Sequence, residues 1–282
     1  MEDMKGKLCV VTGANSGIGY HTAKGLAEMN ATVVLVVRDL GKGQMALGRI
    51  KEATDNDSLH LMHCDVASMK SVDRFTSEFS DRFTYLNVLI NNAGAAFSKR
   101  QETEEGYERT IATNYLGMFK LTHSLLPMLE ASSPSRIINI GSGMHKTGKV
   151  NWDDFMFENK YNGMQVYATS KLLVTAYTYA LAERLKGTGV TANVVEPGFV
   201  ATNLGAKMGG LRDKIAFALV RPMQISAERG AETSIWAATK PELEEVTGKT
   251  FAKKSEVKTA EITRDKEFQD RLWKETIKLL KI

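Results

Sequence analysis

The stretch Thr12–Gly19, read T-G-A-N-S-G-I-G, constrains this chain more than any other. It follows Lys7–Val11, an apolar run that reads as a buried strand, and precedes Tyr20–Met29, where Ala23, Leu26 and Ala27 recur at helical spacing. A strand, a glycine turn and a helix make a first βα unit. The start of such a helix offers unpaired N–H groups and the positive end of its dipole, a seat for a phosphate. Gly13 lets the chain leave the strand sharply. Gly17 and Gly19 let backbone approach a pyrophosphate and the helix pack tightly on the sheet, with Asn15, Ser16 and Ile18 filling the turn. The spacing G-x3-G-x-G departs from the G-x-G-x-x-G of the usual dinucleotide fingerprint, so the turn alone leaves a ligand-free βα corner open.

The rest of the chain repeats the unit. Apolar runs recur at Ala31–Val37, Ser58–Cys64, Asn87–Asn91, Arg136–Gly141, Val190–Glu196 and Gly248–Ala252. Between and after them the spacing predicts helices over Gly41–Ala53, Ser68–Phe83 with Ser68 as N-cap, Glu104–Glu130, Gln165–Lys186, Ser226–Thr239 and Lys266–Leu280. Strands alternating with helices of this length mean βαβ units, and right-handed crossovers wind them doubly. The predicted class is α/β, a doubly wound parallel sheet of Rossmann type. No linker or low-complexity run marks a boundary, so one domain over residues 1–282 is expected. Ligands of such sheets sit outside the carboxyl ends of the strands, so the residues that carry chemistry should fall just after strands.

Composition removes other classes. Of the 282 residues 25% are charged and the net charge is +4, with both signs interspersed, which gives no basic surface for nucleic acid. Cys9 and Cys64 lie in or beside predicted core strands and show no disulfide framework, and neither they nor the histidines have metal-ligand spacing. The polar start lacks a signal-peptide pattern, and no run reaches the roughly 18 apolar residues of a membrane span. A cytoplasmic protein is the expectation.

Strand ends do carry chemistry. Cys64-Asp65-Val66 follows the third run, Asn92-Ala93-Gly94 the fourth, Ser142 the fifth and Pro197-Gly198 the sixth. Tyr167 and Lys171, four residues apart, share one helix face. In this order, T-G-x3-G-x-G, D-V, N-N-A-G, an Asn in the next helix, a Ser after strand five, Y-x3-K and P-G, the set resembles the short-chain dehydrogenase/reductase family in its classical form, over essentially the whole chain. Ile140–His145, Tyr167–Lys171 and the tail R-L-W-K from Arg271 look most like its retinol-dehydrogenase branch.

The resemblance implies a hydride-transferring oxidoreductase with Asn114, Ser142, Tyr167 and Lys171 as catalytic residues. A free phenol has a pKa near ~10, whereas acid–base work at neutral pH wants it lower. A lysine cation one turn away would favour the phenolate. Ser142 would hold the substrate oxygen near Tyr167, and Asn114 would hold a water linking Lys171 to solvent. Val37 stands where the family's NAD enzymes place an aspartate, and Arg38 after it could grip a 2′-phosphate, helped by Ser16. NADP(H) is therefore the expected cofactor. Arg38 paired with Asp39, or Asp39 on a ribose hydroxyl, keeps NAD(H) as the lesser alternative. Asp65 and Val66 are expected near the adenine, Asn92, Ala93 and Gly94 beside the ribose, and Val200 and Thr202, after Pro197 and Gly198, at the nicotinamide carboxamide; Tyr167 and Lys171 also face the cofactor.

The stretch between Ser142 and Tyr167 is long for the family, and Lys149–Gly163 carries Trp152 and Phe155. With Met144, His145, Phe199, Met208, Leu211 and Phe217 these make an apolar pocket, under a lid at about 202–222, for a lipophilic aldehyde, ketone or retinoid-like alcohol; His145 itself reads as a surface residue. Leu173, Ala176, Tyr177, Ala180 and Leu181 exceed what one sheet face needs and suggest a homodimer across the two long helices. A non-catalytic dinucleotide sensor on the same fold is the alternative function, against which the intact Asn114, Ser142, Tyr167 and Lys171 set argues.

Overall fold

The β-branched runs become strands: β1 (Leu8–Thr12), β2 (Thr32–Val37), β3 (Leu59–His63), β4 (Val88–Asn91), β5 (Ser135–Ile140), β6 (Val190–Glu196) and β7 (Thr250–Ala252), with a two-residue β8 (Ser255–Glu256). In the computed structural model, which describes residues 2–200 and 224–282, they form an eight-stranded sheet in the order β3-β2-β1-β4-β5-β6-β7-β8. All pairings are parallel except β7 with β8, a hairpin through Lys253 and Lys254, both at positive φ. The order reverses between β1 and β4, the switch point where such sheets bind ligands.

The helices are α1 (Gly17–Ala27), α2 (Leu40–Thr54), α3 (Met69–Arg82), α4 (Arg109–Ile111), α5 (Gly117–Ala131), α6 (Gly163–Arg184), α7 (Ala227–Thr239) and α8 (Lys266–Leu280). They cover both faces of the sheet. The strand pleat sends Leu8 and Val10 into one core with α3, α5, α6 and α8, and Cys9 and Val11 into the other with α1, α2 and α7. Both cysteine thiols are buried, which pushes each up to about 12 and leaves them as apolar packing groups. No helix among the described residues is long and apolar enough to cross a membrane.

Two expectations need correction. The helix predicted from Glu104 begins at Arg109: Glu102 bridges Glu108, Gly106 takes a positive φ of 83°, and the Glu108 side chain accepts from the Ile111 amide at 2.7 Å. A π-helical turn, Ala112–Leu116, then separates α4 from α5. Second, the apolar excess on α6 has a partner within the chain. Trp273 of α8 stacks on Tyr177 at 5.6 Å between ring centres and meets Phe119 edge-on at 5.2 Å. Tyr115 hydroxyl meets Thr276 Oγ1 at 2.6 Å, Tyr107 donates to the Leu279 carbonyl at 2.9 Å, and Arg184 pairs with Asp270 at 2.9 Å. Leu173, Ala176, Tyr177, Ala180 and Leu181 are all buried in this single chain, so their apolarity is no argument for a homodimer.

Candidate active site

The glycine turn is built for close approach. Gly13 has a φ of 67°, which side-chain-bearing residues rarely adopt. A Cβ on Gly19 would stand 2.4 Å from Asn92 Nδ2 and 2.5 Å from the Gly13 carbonyl oxygen, so nothing larger fits. The N-cap side chains Asp39, Ser68, Asn162, Ser226 and Asp265 each accept a first-turn amide, but Ser16 of α1 does not. The first amides of α1 are thus left without a side-chain cap at the switch point, and they fit an anionic pyrophosphate. Asn15 and Ile18 are half-buried and Ser16 is exposed.

Thr12, at the end of β1, was not singled out in the sequence. Its Oγ1 accepts the amides of Asn92 and Ala93, each at 2.9 Å, while Asn92 Nδ2 donates to the Thr12 carbonyl at 2.8 Å. Asn92 therefore bolts the end of β4 to the end of β1. A Cβ on Gly94 would lie 3.4 Å from Asn114 Oδ1 and 3.8 Å from Lys171 Nζ, so this loop runs past two of the expected catalytic side chains.

Asn114 sits in the π-helical turn and is buried. Its Oδ1 accepts the Ala95 amide at 2.7 Å, and its Nδ2 donates to the Ala95 carbonyl at 2.9 Å and to Ser170 Oγ at 2.8 Å. Its amide is engaged in holding the loop after β4 against α6. Lys171, 4% exposed, donates to the Ile140 carbonyl at 2.7 Å, and its Nζ lies 5.7 Å from the centre of the Tyr167 ring. Burial lowers its ammonium to about 8. Ser142, N-cap of a 3-10 turn over Gly143–Thr147, stands beside the Tyr167 phenol and favours its charged form.

The electrostatics correct one expectation. Burial raises the Tyr167 phenol above its ordinary value, and the neighbouring Ser142 hydroxyl opposes this only in part. The Lys171 ammonium gives its hydrogen bond to the Ile140 carbonyl and stands 5.7 Å from the centre of the Tyr167 ring. The site holds a protonated phenol.

His145 is a second correction. It is fully buried, with Nδ1 2.9 Å from the Ser142 carbonyl and 2.9 Å from Glu196 Oε1. It lies beneath Ser142 and does not line a pocket at the surface. Glu196, the last residue of β6, went unread in the sequence, although a carboxyl ending a buried parallel strand is itself a signal.

At the adenosine side, Asp39 is occupied as the cap of α2, accepting the Lys42 amide at 3.0 Å and facing Lys42 Nζ at 3.2 Å. Arg38 is 54% exposed and stands 3.9 Å from Asp65 Oδ2. Asp65 Oδ1 accepts the Ala67 amide at 3.0 Å, and capping of α3 falls to Ser68 and to Glu105, whose Oε1 accepts the Met69 amide at 2.9 Å. Val66 is 8% exposed and packs in the core.

After β6, Pro197 is half-buried, Gly198 has a φ of 86°, and Phe199 is exposed. Val200 and Ile18 both crowd Gly230 of α7, at 2.7 and 3.2 Å from the Cβ that would be there, which brings this segment against the glycine turn. Thr202, Met208, Leu211 and Phe217, with the lid at about 202–222, lie outside the described residues. Of the other pocket candidates, Met144 is half-buried beside Ser142. Trp152 and Phe155 stack on each other 5.8 Å apart, and Trp152 packs on Phe268 at 5.6 Å under the Arg271 guanidinium at 4.5 Å. Those ring contacts run to α8: the insertion packs on the C-terminal helix, where a pocket wall was expected.

A switch-point glycine turn joined to a Ser–Tyr–Lys constellation defines an oxidoreductase that uses a nicotinamide dinucleotide. A family model described as short chain dehydrogenase matches residues 7–210, and the chain belongs to the short-chain dehydrogenase/reductase family. It is 37% identical to human retinol dehydrogenase 13 over 280 residues, covering 98% of this chain and 85% of that protein. It is 36% identical to mouse retinol dehydrogenase 12, with 98% and 87% covered, and 36% identical to human polyprenol dehydrogenase, with 97% and 84% covered. Among solved structures, an uncharacterised protein from Mycobacterium paratuberculosis superposes with a TM-score of 0.81 at 28% identity, covering 100% of this chain and 96% of that one. The NADP complex of Pseudomonas aeruginosa RhlG shares the fold, with a TM-score of 0.72 at 24% identity over 89% of this chain and 96% of that one.

Proposed function

We propose that this protein is an NADP(H)-preferring oxidoreductase that interconverts a lipophilic carbonyl and its alcohol. The observation that carries the reading is Ser142 set beside a half-buried Tyr167, with buried Lys171 one helical turn on. A nicotinamide dinucleotide, when bound, supplies or accepts the hydride. The chain's residues then do the rest. Ser142 Oγ and the Tyr167 hydroxyl converge on one point, where a substrate oxygen could take two hydrogen bonds. In the reductive direction Tyr167 gives its proton to the oxygen as negative charge develops there, and a phenol raised by burial is in the correct form to do so. Lys171 Nζ and the uncapped start of α1 would hold the ribose and the pyrophosphate. Asn92, Ala93, Gly94, Asp65, Val66, Pro197, Gly198 and Val200 would flank the cofactor.

The NADP preference is supported by the division of labour after β2. Asp39 is committed to Lys42, and Arg38 keeps an exposed guanidinium beside Asp65. The lipophilic substrate is supported by Met144 and Phe199, and by the names of the relatives, which act on retinol and polyprenol. An apolar site gains about 25 cal/mol for each Å² of substrate surface taken from water. With NADPH, retinal or a long-chain aldehyde should show a far higher kcat/KM than acetaldehyde. Equal or better turnover of small hydrophilic carbonyls would refute the substrate class.

A further inference from the structure

His145, Glu196 and the backbone of Ala260 meet beneath Ser142. His145 Nε2 accepts the Ala260 amide at 3.1 Å. A ring nitrogen that accepts an N–H carries no proton, so the ring proton is on Nδ1. That proton goes to the Ser142 carbonyl, 2.9 Å from Nδ1, while Glu196 Oε1 stands at the same distance from Nδ1 outside hydrogen-bond geometry. Glu196 Oε1 is buried and has no hydrogen-bond partner among the described residues. The Ser142 carbonyl already accepts the His145 amide at 2.9 Å, so the ring adds a second grip on the same atom. Glu196 directly precedes Pro197-Gly198, and a Cβ on Gly143 would lie 3.7 Å from its Oε2. One imidazole therefore spans three separate segments: the turn after β5, the end of β6 and the strand-like approach to α8.

We infer that His145 is a positioning residue, held as its Nδ1–H tautomer between the Ala260 amide and the Ser142 carbonyl, and that it fixes the main chain of Ser142 so that the Ser142 hydroxyl faces Tyr167. The inference rests on the reading of Ser142 as the group that orients the substrate oxygen. It makes the segment around Ala260 part of the active-site support.

Two variants separate this role from simple packing. Ala260→Pro removes only the amide hydrogen, at a residue whose φ of −61° already suits proline. His145→Asn keeps a donor at the Nδ1 position and loses the acceptor for Ala260. Imidazole nitrogen NMR of the isotope-labelled protein at about pH 7 should show one histidine, missing from His145→Asn, as a fixed Nδ1–H tautomer. In Ala260→Pro that signal should move towards a tautomer mixture. An Nε2–H tautomer or an imidazolium in the wild type overturns the inference even if no substrate is ever turned over. With NADPH and retinal, His145→Leu should lose roughly tenfold to a hundredfold in kcat at unchanged NADPH affinity. His145→Asn should recover most of that loss. Equal losses in Asn and Leu, or a loss confined to NADPH binding, would contradict a positioning role. If retinal is inert with the wild type, the substrate class fails while the NMR result still decides this point.

Discussion

At the residue scale, Lys171 and Arg38 show two opposite uses of a cation. Lys171 is 4% exposed, its ammonium donates to the Ile140 carbonyl, and burial brings that ammonium down from 10.5 to about 8. The folded value lies below the unfolded one, so the destabilisation is felt in full below about pH 8 and fades as pH rises towards 10.5. Lys171→Met should therefore stabilise the fold at neutral pH by on the order of 2 kcal/mol, after allowing for the hydrogen bond lost at Ile140, while abolishing turnover. Urea titrations should show the gain shrinking at alkaline pH, and a variant less stable than wild type at neutral pH would refute this. Arg38 is exposed beside Asp65. Arg38→Ala should erase most of a more than tenfold kcat/KM preference for NADPH over NADH, consistent with a charged contact of about 1.5–3 kcal/mol. A native enzyme that uses the two cofactors equally would sink the assignment.

At the element scale, the sequence revealed elements more fully than it revealed their partners. The strand over Val190–Glu196 and the helix over Lys266–Leu280 match the expectation, and Ser68 caps α3 as read. These were legible because periodicity and caps are local. The start of α4 was not, since apolar spacing continues upstream through residues that the Glu102–Glu108 bridge folds into a turn. The π-helical turn at Asn114 was legible only as an oddity of propensity, an asparagine inside a helix. The docking of α8 on α5 and α6 depends on pairs far apart in sequence, such as Tyr115 with Thr276, that no local pattern announces. Because α8 packs on that face of α6 through Trp273 and Tyr177, the expected assembly is a single chain. Light scattering at micromolar concentration should return the mass of a single chain, and a dimer that survives Trp273→Ala unchanged would show pairing through a different face.

At the scale of the whole molecule, the site exists because parallel strands end on one edge. The loops after β1, β4, β5 and β6 bring Gly13, Gly94, Ser142 and Pro197 there, and α6 delivers Tyr167 and Lys171. That much followed from the alternation of strands and helices, which is why motif residues could be picked out without coordinates. The supports beneath them could not: Thr12 to Asn92, Asn114 to Ala95 and His145 to Glu196 join segments that only the folded sheet makes neighbours. The same distance effect misplaced Trp152 and Phe155, whose partners Phe268 and Arg271 lie near the other end of the chain. The central claim is that Ser142 and Tyr167 act together as the proton-delivering hydroxyl pair at this edge. It is tested most directly by NADPH oxidation with a bulky aldehyde in wild type and Tyr167→Phe, alongside NADPH binding by fluorescence. The account predicts that the variant binds NADPH as the wild type does and loses nearly all turnover. Undiminished turnover in Tyr167→Phe would contradict it.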